Sequence, residues 1–227
     1  VTGTIAVIAA AYVLGSIPFS ILFARAFGGV DPRSAGSRSA GATNVARTVG
    51  VLPGVLALLG DAAKGVVAVL ILSRLVPTGT ISVSALQSLP ILAGAAAIIG
   101  HLFPVFARFR GGKGVATAAG VLFSLLPLEA AIAFGCFLIA VVISRRVSLG
   151  SLVAIYSAAL IVGVERFALH RDVSLEMFFF TTLLAFALSI THRGNIARIL
   201  SGTESRLGEK TRNERSRDRD RTDFKKE

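Results

Sequence analysis

The chain has 227 residues, of which 53% are hydrophobic and 16% charged, with a mean hydropathy of +0.73. Soluble domains carry about 25% charge and disordered chains are poor in apolar residues, so neither class fits most of this length. A net charge of +11 in a soluble protein would suggest nucleic acid, but here the basic residues first read as cytoplasmic loops between membrane spans.

The apolar residues come in long runs, as in membrane-spanning helices, without the alternation of a β-barrel. The first run, from about Ile5 to Phe23, lacks the basic n-region of a signal peptide and reads as a retained helix. The second extends from about Val51 to Leu75 and carries Asp61 and Lys64 inside it. The third covers about Leu86 to Phe103, the fourth Val115 to Pro127, and the fifth Ala130 to Ser144. The sixth runs from about Leu149 to Val164 and the seventh from about Leu175 to Ile190. The fold expected is an all-α polytopic integral membrane protein with about seven transmembrane helices.

Seven spans place the termini on opposite sides. The segments 24–50, 104–113, 144–148 and 192–202 hold eleven Lys or Arg, against three (Arg74, Arg166, Arg171) in the alternate loops. The positive-inside rule then puts the N-terminus outside and the C-terminus in the cytoplasm. The domain expected is 1–202, followed by a charged, disordered cytoplasmic tail at 203–227. That tail has nine basic and seven acidic residues and only Leu207 and Phe224 as large apolar ones.

Small polar residues and glycines gather on the predicted cytoplasmic side in three places. The loop from Asp31 to Arg47 holds glycines, hydroxyls and arginines, with Ser37, Thr43 and Asn44 as further donors. The stretch Gly100 to Thr117 places Lys113 among Gly111, Gly112 and Gly114, next to Arg110 and ahead of a helix start. It resembles a phosphate-cradling nest but lacks Walker A spacing. The segment after the last span puts His192 and Asn195 three residues apart, on one helix face.

Smaller features surround these. Asp61 and Lys64 read either as an intrahelical ion pair or as Lys64 reaching a cytoplasmic anion site. Arg145-Arg-Val-Ser148 adds a short basic loop with a hydroxyl. Cys136 reads as a buried apolar residue. No metal-ligand cluster, paired glycosidase carboxylates or G-x-S-x-G elbow is present. Residue chemistry alone therefore suggests a site for one or two phosphates. A transporter for organic anions is the alternative, although that class places polar sites near the bilayer midplane.

Together the motifs resemble the bacterial acyl-phosphate:glycerol-3-phosphate acyltransferases, the PlsY family. The resemblance rests on Gly15-Ser-Ile-Pro18, Gly36-Ser37, Gly41-Ala-Thr-Asn44 with Arg47, and Asp61-Ala-Ala-Lys-Gly65. It continues through Gly100-His-Leu-Phe-Pro104, Gly111-Gly-Lys-Gly-Val-Ala-Thr117 and Val147-Ser-Leu-Gly-Ser151. It closes with His192, Asn195, Ile196, Arg198, Gly202 and Glu204. One departure stands out: the family usually reads Gly-Ser-Gly-Asn where this chain has Gly36-Ser37-Arg38-Ser39.

The resemblance implies a metal-free and cofactor-free enzyme of the bacterial inner membrane with its site facing the cytoplasm. It would move a fatty acyl group from acyl phosphate to the first hydroxyl of glycerol 3-phosphate. The products would be 1-acyl-glycerol 3-phosphate (lysophosphatidic acid) and phosphate, in the first step of bacterial phospholipid synthesis. The peripheral enzyme that makes acyl phosphate is the partner expected. By analogy Ser37, Arg47 and Lys113 hold glycerol phosphate, and Gly111, Gly112, Gly114, Thr43, Asn44 and Thr117 cradle acyl phosphate. Ser148, His192 and Asn195 complete the site, with Lys64 and Arg110 as further substrate contacts.

Overall fold

The computed structural model describes residues 2–76 and 82–209. Every regular element among the described residues is helical. The part of the expected tail beyond residue 209 lies outside them.

The first apolar run is not one straight helix. α1 (Thr2–Gly15) stops before Pro18, whose ring and missing N–H cannot continue it, and α2 (Phe19–Gly28) starts anew. The following loop carries a 3₁₀ turn at Pro32–Ser34 and the short helix α3 (Ala42–Thr48). Next come α4 (Val51–Leu70) and α5 (Val83–Leu102), then α6 (Val115–Leu125). Pro127 opens α7 (Pro127–Ser144), which leads to α8 (Val147–Phe167). α9 (Leu175–Thr191) bends by 67° at His192 into α10 (Arg193–Leu200).

Among the described residues, five helical stretches are long and apolar enough to cross a bilayer, and six if the bent α9–α10 pair counts. The sequence expectation was seven. The shortfall is α6, whose 11 residues span about 16 Å, half of a hydrocarbon core.

Packing follows membrane rules. Interfaces are lined by small residues: Ala11, Ala93 and Ala97 between α1 and α5, and Ala118, Ala130, Ala133, Ala158 and Ala185 around α6 to α9. The large apolar side chains point outward instead: Ile143 is 80% exposed and Phe186 66%. In water such a surface would aggregate, so it marks the face turned to lipid.

Candidate active site

Two side chains shape the loop after α2. Asp31 Oδ1 accepts the Arg33 N–H at 3.0 Å, and the Arg33 guanidinium closes on Oδ2 at 2.7 Å. That hydrogen bonding holds the Asp31 carboxyl down to about 2. Arg33 also donates to the Ala107 carbonyl, and Arg25 shares Asp31 at 3.3 Å. Arg33 of this loop and Arg25 of α2 thus serve the fold.

Asn44 is the second organiser. Its buried amide nitrogen donates to the carbonyls of Pro32, Ala35 and Ser39, and its Oδ1 accepts the Ser37 N–H at 2.9 Å. Gly36 turns past it at φ +59, where a Cβ would stand 2.3 Å from Oδ1. With its amide committed to backbone, Asn44 holds the loop in shape; the expectation of a direct substrate donor is corrected accordingly.

Gly111 and Gly112 also differ from expectation. Their N–H groups donate to the carbonyls of Leu102 and His101, at 3.2 and 3.3 Å. A Cβ on Gly112 would lie 2.3 Å from His101 Nε2. These glycines let the loop press against the end of α5; they do not offer free amides to a phosphate. The close approach delivers Lys113 to the mouth of α6, which Gly114 opens at φ +88.

A chain of hydrogen bonds fixes Lys113. Its Nζ donates to Asn195 Oδ1, and Asn195 Nδ2 donates to Glu204 Oε1 at 2.6 Å. Ser148 donates to the same oxygen, while Arg198 Nε reaches Oε2 at 2.7 Å. The Thr191 hydroxyl donates to the Lys113 carbonyl at 3.1 Å. Burial pushes the Lys113 ammonium down to about 8, reinforced by Arg198 and Arg47 and only partly offset by Glu204. Burial pushes the Glu204 carboxyl up, but hydrogen bonds from Ser148, Asn195 and Arg198 outweigh it and leave it below its ordinary value.

His192 sits at the bend beyond α9, 2% exposed. Its Nδ1 lies 2.8 Å from the Leu188 carbonyl, which fixes the proton on Nδ1 and leaves Nε2 an acceptor in the neutral ring. Burial, then the Lys113 charge, lower its pKa to about 4, so the ring is neutral at pH 7.

These elements enclose a cavity of about 510 Å³. Ser37, Arg47, Lys113, His192 and Asn195 all line it, as do Thr43, Asn44, Gly114 and Ser148. Five expected contacts do not: Lys64, Arg110, Gly111, Gly112 and Thr117. Lys64 is sealed in an ion pair with Asp61 at 2.8 Å, and Arg110 is exposed outside the cavity. Thr117 is fully buried, and its Oγ1 has no hydrogen-bond partner among the described residues.

The cavity adds residues to which the sequence reading gave no role. Arg198 shares a helix face with Asn195, three positions earlier, and that spacing was a usable signal. Glu204, assigned to the tail, is 9% exposed and ties α8 to α10 through Ser148 and Asn195. The packed structure thus runs past residue 202, with the Leu207 N–H donating to the Arg145 carbonyl at 2.7 Å.

Charge is unbalanced in this cavity. Among the described residues, Arg38, Arg47 and Lys113 have no carboxylate within 4.0 Å. An apolar groove of about 170 Å³ joins the cavity, sharing Leu58, Val115, Ala116, Phe137, Ser151 and His192 with it. Beyond them the groove is walled by side chains such as Leu122, Phe123, Phe134 and Ile155. The site therefore suits a molecule with an anionic head and an apolar tail.

Residues 5–202 match the family model described as glycerol-3-phosphate acyltransferase. A glycerol-3-phosphate acyltransferase of Salinibacter ruber is 43% identical over 86% of this chain and 89% of its own. That of Halalkalibacterium halodurans is 45% identical over 88% and 93%. Two crystal structures of PlsY, an integral membrane glycerol 3-phosphate acyltransferase, superpose at 35% identity. Its glycerol 3-phosphate form has a TM-score of 0.76 over 90% of this chain and 96% of the other. Its lysophosphatidic acid form has 0.74 over 90% and 95%. None of these relatives supports the transporter alternative. An anion-seeking cavity on a lipid-facing helical frame, a family model spanning most of the sequence and relatives above 40% identity agree: the chain belongs to the glycerol-3-phosphate acyltransferase family of integral membrane enzymes.

Proposed function

We propose that the chain transfers a fatty acyl group from acyl phosphate to the first hydroxyl of glycerol 3-phosphate, releasing lysophosphatidic acid and inorganic phosphate. The observation that carries this reading is the continuity of the cationic cavity with the apolar groove. Both substrates bring phosphate, one brings an acyl chain, and the cavity holds more cations than its carboxylates balance. Acyl phosphate enters with its chain along the groove and its phosphate at the mouth of α6, near Gly114. Glycerol 3-phosphate is held by Arg47, Lys113 and Ser37.

In the reaction the acceptor hydroxyl oxygen attacks the acyl carbonyl carbon. The new ester C–O bond forms, the bond to the phosphate oxygen breaks, and phosphate leaves with the electron pair. The hydroxyl proton passes to a substrate phosphate oxygen. The protein positions the two substrates and stabilises the charge that develops. Neutral His192, with Nε2 free to accept, is the rival base.

The same reading places the protein in the bacterial inner membrane with seven crossings. The ends of successive helices support it. The C-terminal ends of α5 and α9 and the N-terminal ends of α6 and α8 all reach the one cavity. Neighbours in the chain therefore run in alternating directions, with α6 as a short crossing. The basic cavity face is cytoplasmic, where acyl phosphate from a peripheral enzyme would arrive, and the N-terminus is outside.

The test offers acyl phosphate, acyl-CoA and acyl carrier protein in parallel to purified protein in detergent. Product from acyl phosphate alone is the expected result. Transfer from either of the other donors at equal rate overturns the donor assignment.

A further inference from the structure

The loop between α2 and α3 holds one residue in a conformation its side chain disfavours. Arg38 has φ +55, in the left-handed region where a side chain crowds the following carbonyl. The backbone on both sides is pinned. The Arg38 N–H donates to the Ala35 carbonyl at 3.0 Å, Ser37 N–H donates to Asn44, and the Ser39 carbonyl accepts from Asn44 at 3.1 Å. The buried Asn44 amide therefore enforces the strained turn from both flanks.

The turn places Arg38 on the cavity wall between Ser37 and Ser39, on the same cavity as Arg47 and Lys113. Arg25 at the end of α2 and Arg33 in this loop close on Asp31, whereas Arg38 is exposed and has no carboxylate within 4.0 Å among the described residues. A guanidinium with planar paired donors, held by a strained backbone at an open cationic site, is suited to grip a phosphate.

We infer that Arg38 is a phosphate ligand at the rim of the cavity, adding a third cation to Arg47 and Lys113 in binding a phosphate monoester substrate. This rests on the phosphate-binding part of the proposed function but not on its choice of acyl donor. Either glycerol 3-phosphate or acyl phosphate supplies the chemistry, and the two arms of the test separate them.

The first arm measures equilibrium binding of glycerol 3-phosphate to the full chain in detergent, for the wild type, Arg38→Gln and Arg38→Gly. The second measures KM for acyl phosphate in the same three proteins. A charge-assisted contact predicts a rise of about tenfold in one of the two constants, in both variants. The rise shrinks at about 0.5 M salt, where screening weakens an exposed contact. Arg38→Gly also relieves the left-handed backbone, so its thermal midpoint holds or rises while its phosphate affinity falls. Simple misfolding lowers the midpoint and the affinity together. Constants within twofold of the wild type in both arms overturn the inference, as does a loss of affinity that tracks a lowered midpoint in both variants. Wild type that binds glycerol 3-phosphate but takes no acyl group from acyl phosphate sinks the donor assignment alone, and the binding arm then decides for Arg38.

Discussion

Two ionic clusters lie close together in this protein and are built on opposite plans. The first is sealed. Asp61 Oδ1 meets Lys64 at 2.8 Å and His101 at 3.3 Å, Ser20 donates to Oδ2 at 3.2 Å, and Lys64 also donates to the Ile17 carbonyl at 3.1 Å. Asp61 and Lys64 are each 2% exposed, and the polar atoms at their tips are matched within the protein. The second is open. Lys113 and Arg47 face a cavity with Arg38 beside them, and of the two carboxylates that line it Asp61 is paired with Lys64 while Glu204 is taken by Ser148, Asn195 and Arg198. A charge inside a span persists when it is paired on the spot. A surplus left at a cavity is a binding site waiting for the opposite sign. The sealed cluster also serves the open one: it fixes His101, against which Gly112 packs to aim Lys113.

Breaking the sealed cluster gives the largest expected effect. Asp61→Asn leaves Lys64 buried without its counter-charge and costs about 3–5 kcal/mol of stability. The double variant Asp61→Asn with Lys64→Met removes both charges and recovers much of that loss. Thermal unfolding in detergent reads both. Additive destabilisation in the double variant would show that the pair is not the unit that matters.

The open cluster responds in catalysis. Lys113→Met lowers kcat/KM by at least about a hundredfold, because a charge-assisted phosphate contact and its share of transition-state stabilisation vanish together. The thermal midpoint does not fall, since a buried ammonium that disfavours its own charge is removed. A collapse of the midpoint in this variant would place Lys113 in the structural class of Lys64.

Acidity sharpens the same contrast. Burial holds Lys113 at about 8 against an ordinary 10.5. As pH rises through 8 the lysine loses its charge, so KM for the phosphate it binds rises by up to about tenfold per unit. Binding the dianion restores the proton, and calorimetry in two buffers of different ionisation enthalpy should detect proton uptake near pH 8 to 9. For stability the sign differs. Between 8 and 10.5 the unfolded chain holds the extra proton, so this lysine makes stability rise with pH there. His192, lowered to about 4 from 6.5, contributes stability that is complete above 6.5 and lost as pH falls toward 4. With that ring neutral, an acid limb near 6 in wild type reports the substrate phosphate, whose second pKa is about 6, and persists in His192→Gln.

The sequence disclosed more of the frame than of the contacts. Long apolar runs and basic loops are local signals, and they locate most of the helices and the end of the bundle bearing the cavity; the break at Pro18 inside the first run is not among the features they disclose. The misplacements share a cause. Gly111 and Gly112 satisfy a phosphate nest and a tight helix–loop contact equally well, and only the position of His101 decides between them. Lys64 reads as a pair or a ligand until Asp61, Ile17 and His101 are seen around it. Glu204 lies in a polar segment that resembles a tail, and its burial depends on Ser148, 56 residues away. The run from Val115 to Pro127 is already short for a full span in the sequence, and α6 ends at Leu125, just before Pro127 opens α7.

Thr117 supplies the smallest expected effect and a clean separation of the two clusters. The family resemblance sets it among the substrate contacts. In the structure it is 0% exposed, does not line the cavity, and its Oγ1 has no hydrogen-bond partner among the described residues. A buried hydroxyl without a partner is a cost, so replacing it with a methyl of the same shape should be neutral or stabilising by about 1 kcal/mol. Thr117→Val is therefore expected to keep kcat/KM within a factor of about three, with a thermal midpoint equal to or above the wild type. A Thr117 that donates to substrate phosphate would instead lose about tenfold in KM with its midpoint unchanged. The wall of the open cluster would then reach one helical turn deeper into α6 than the cavity geometry assigns, toward the α4 face that carries Asp61 and Lys64.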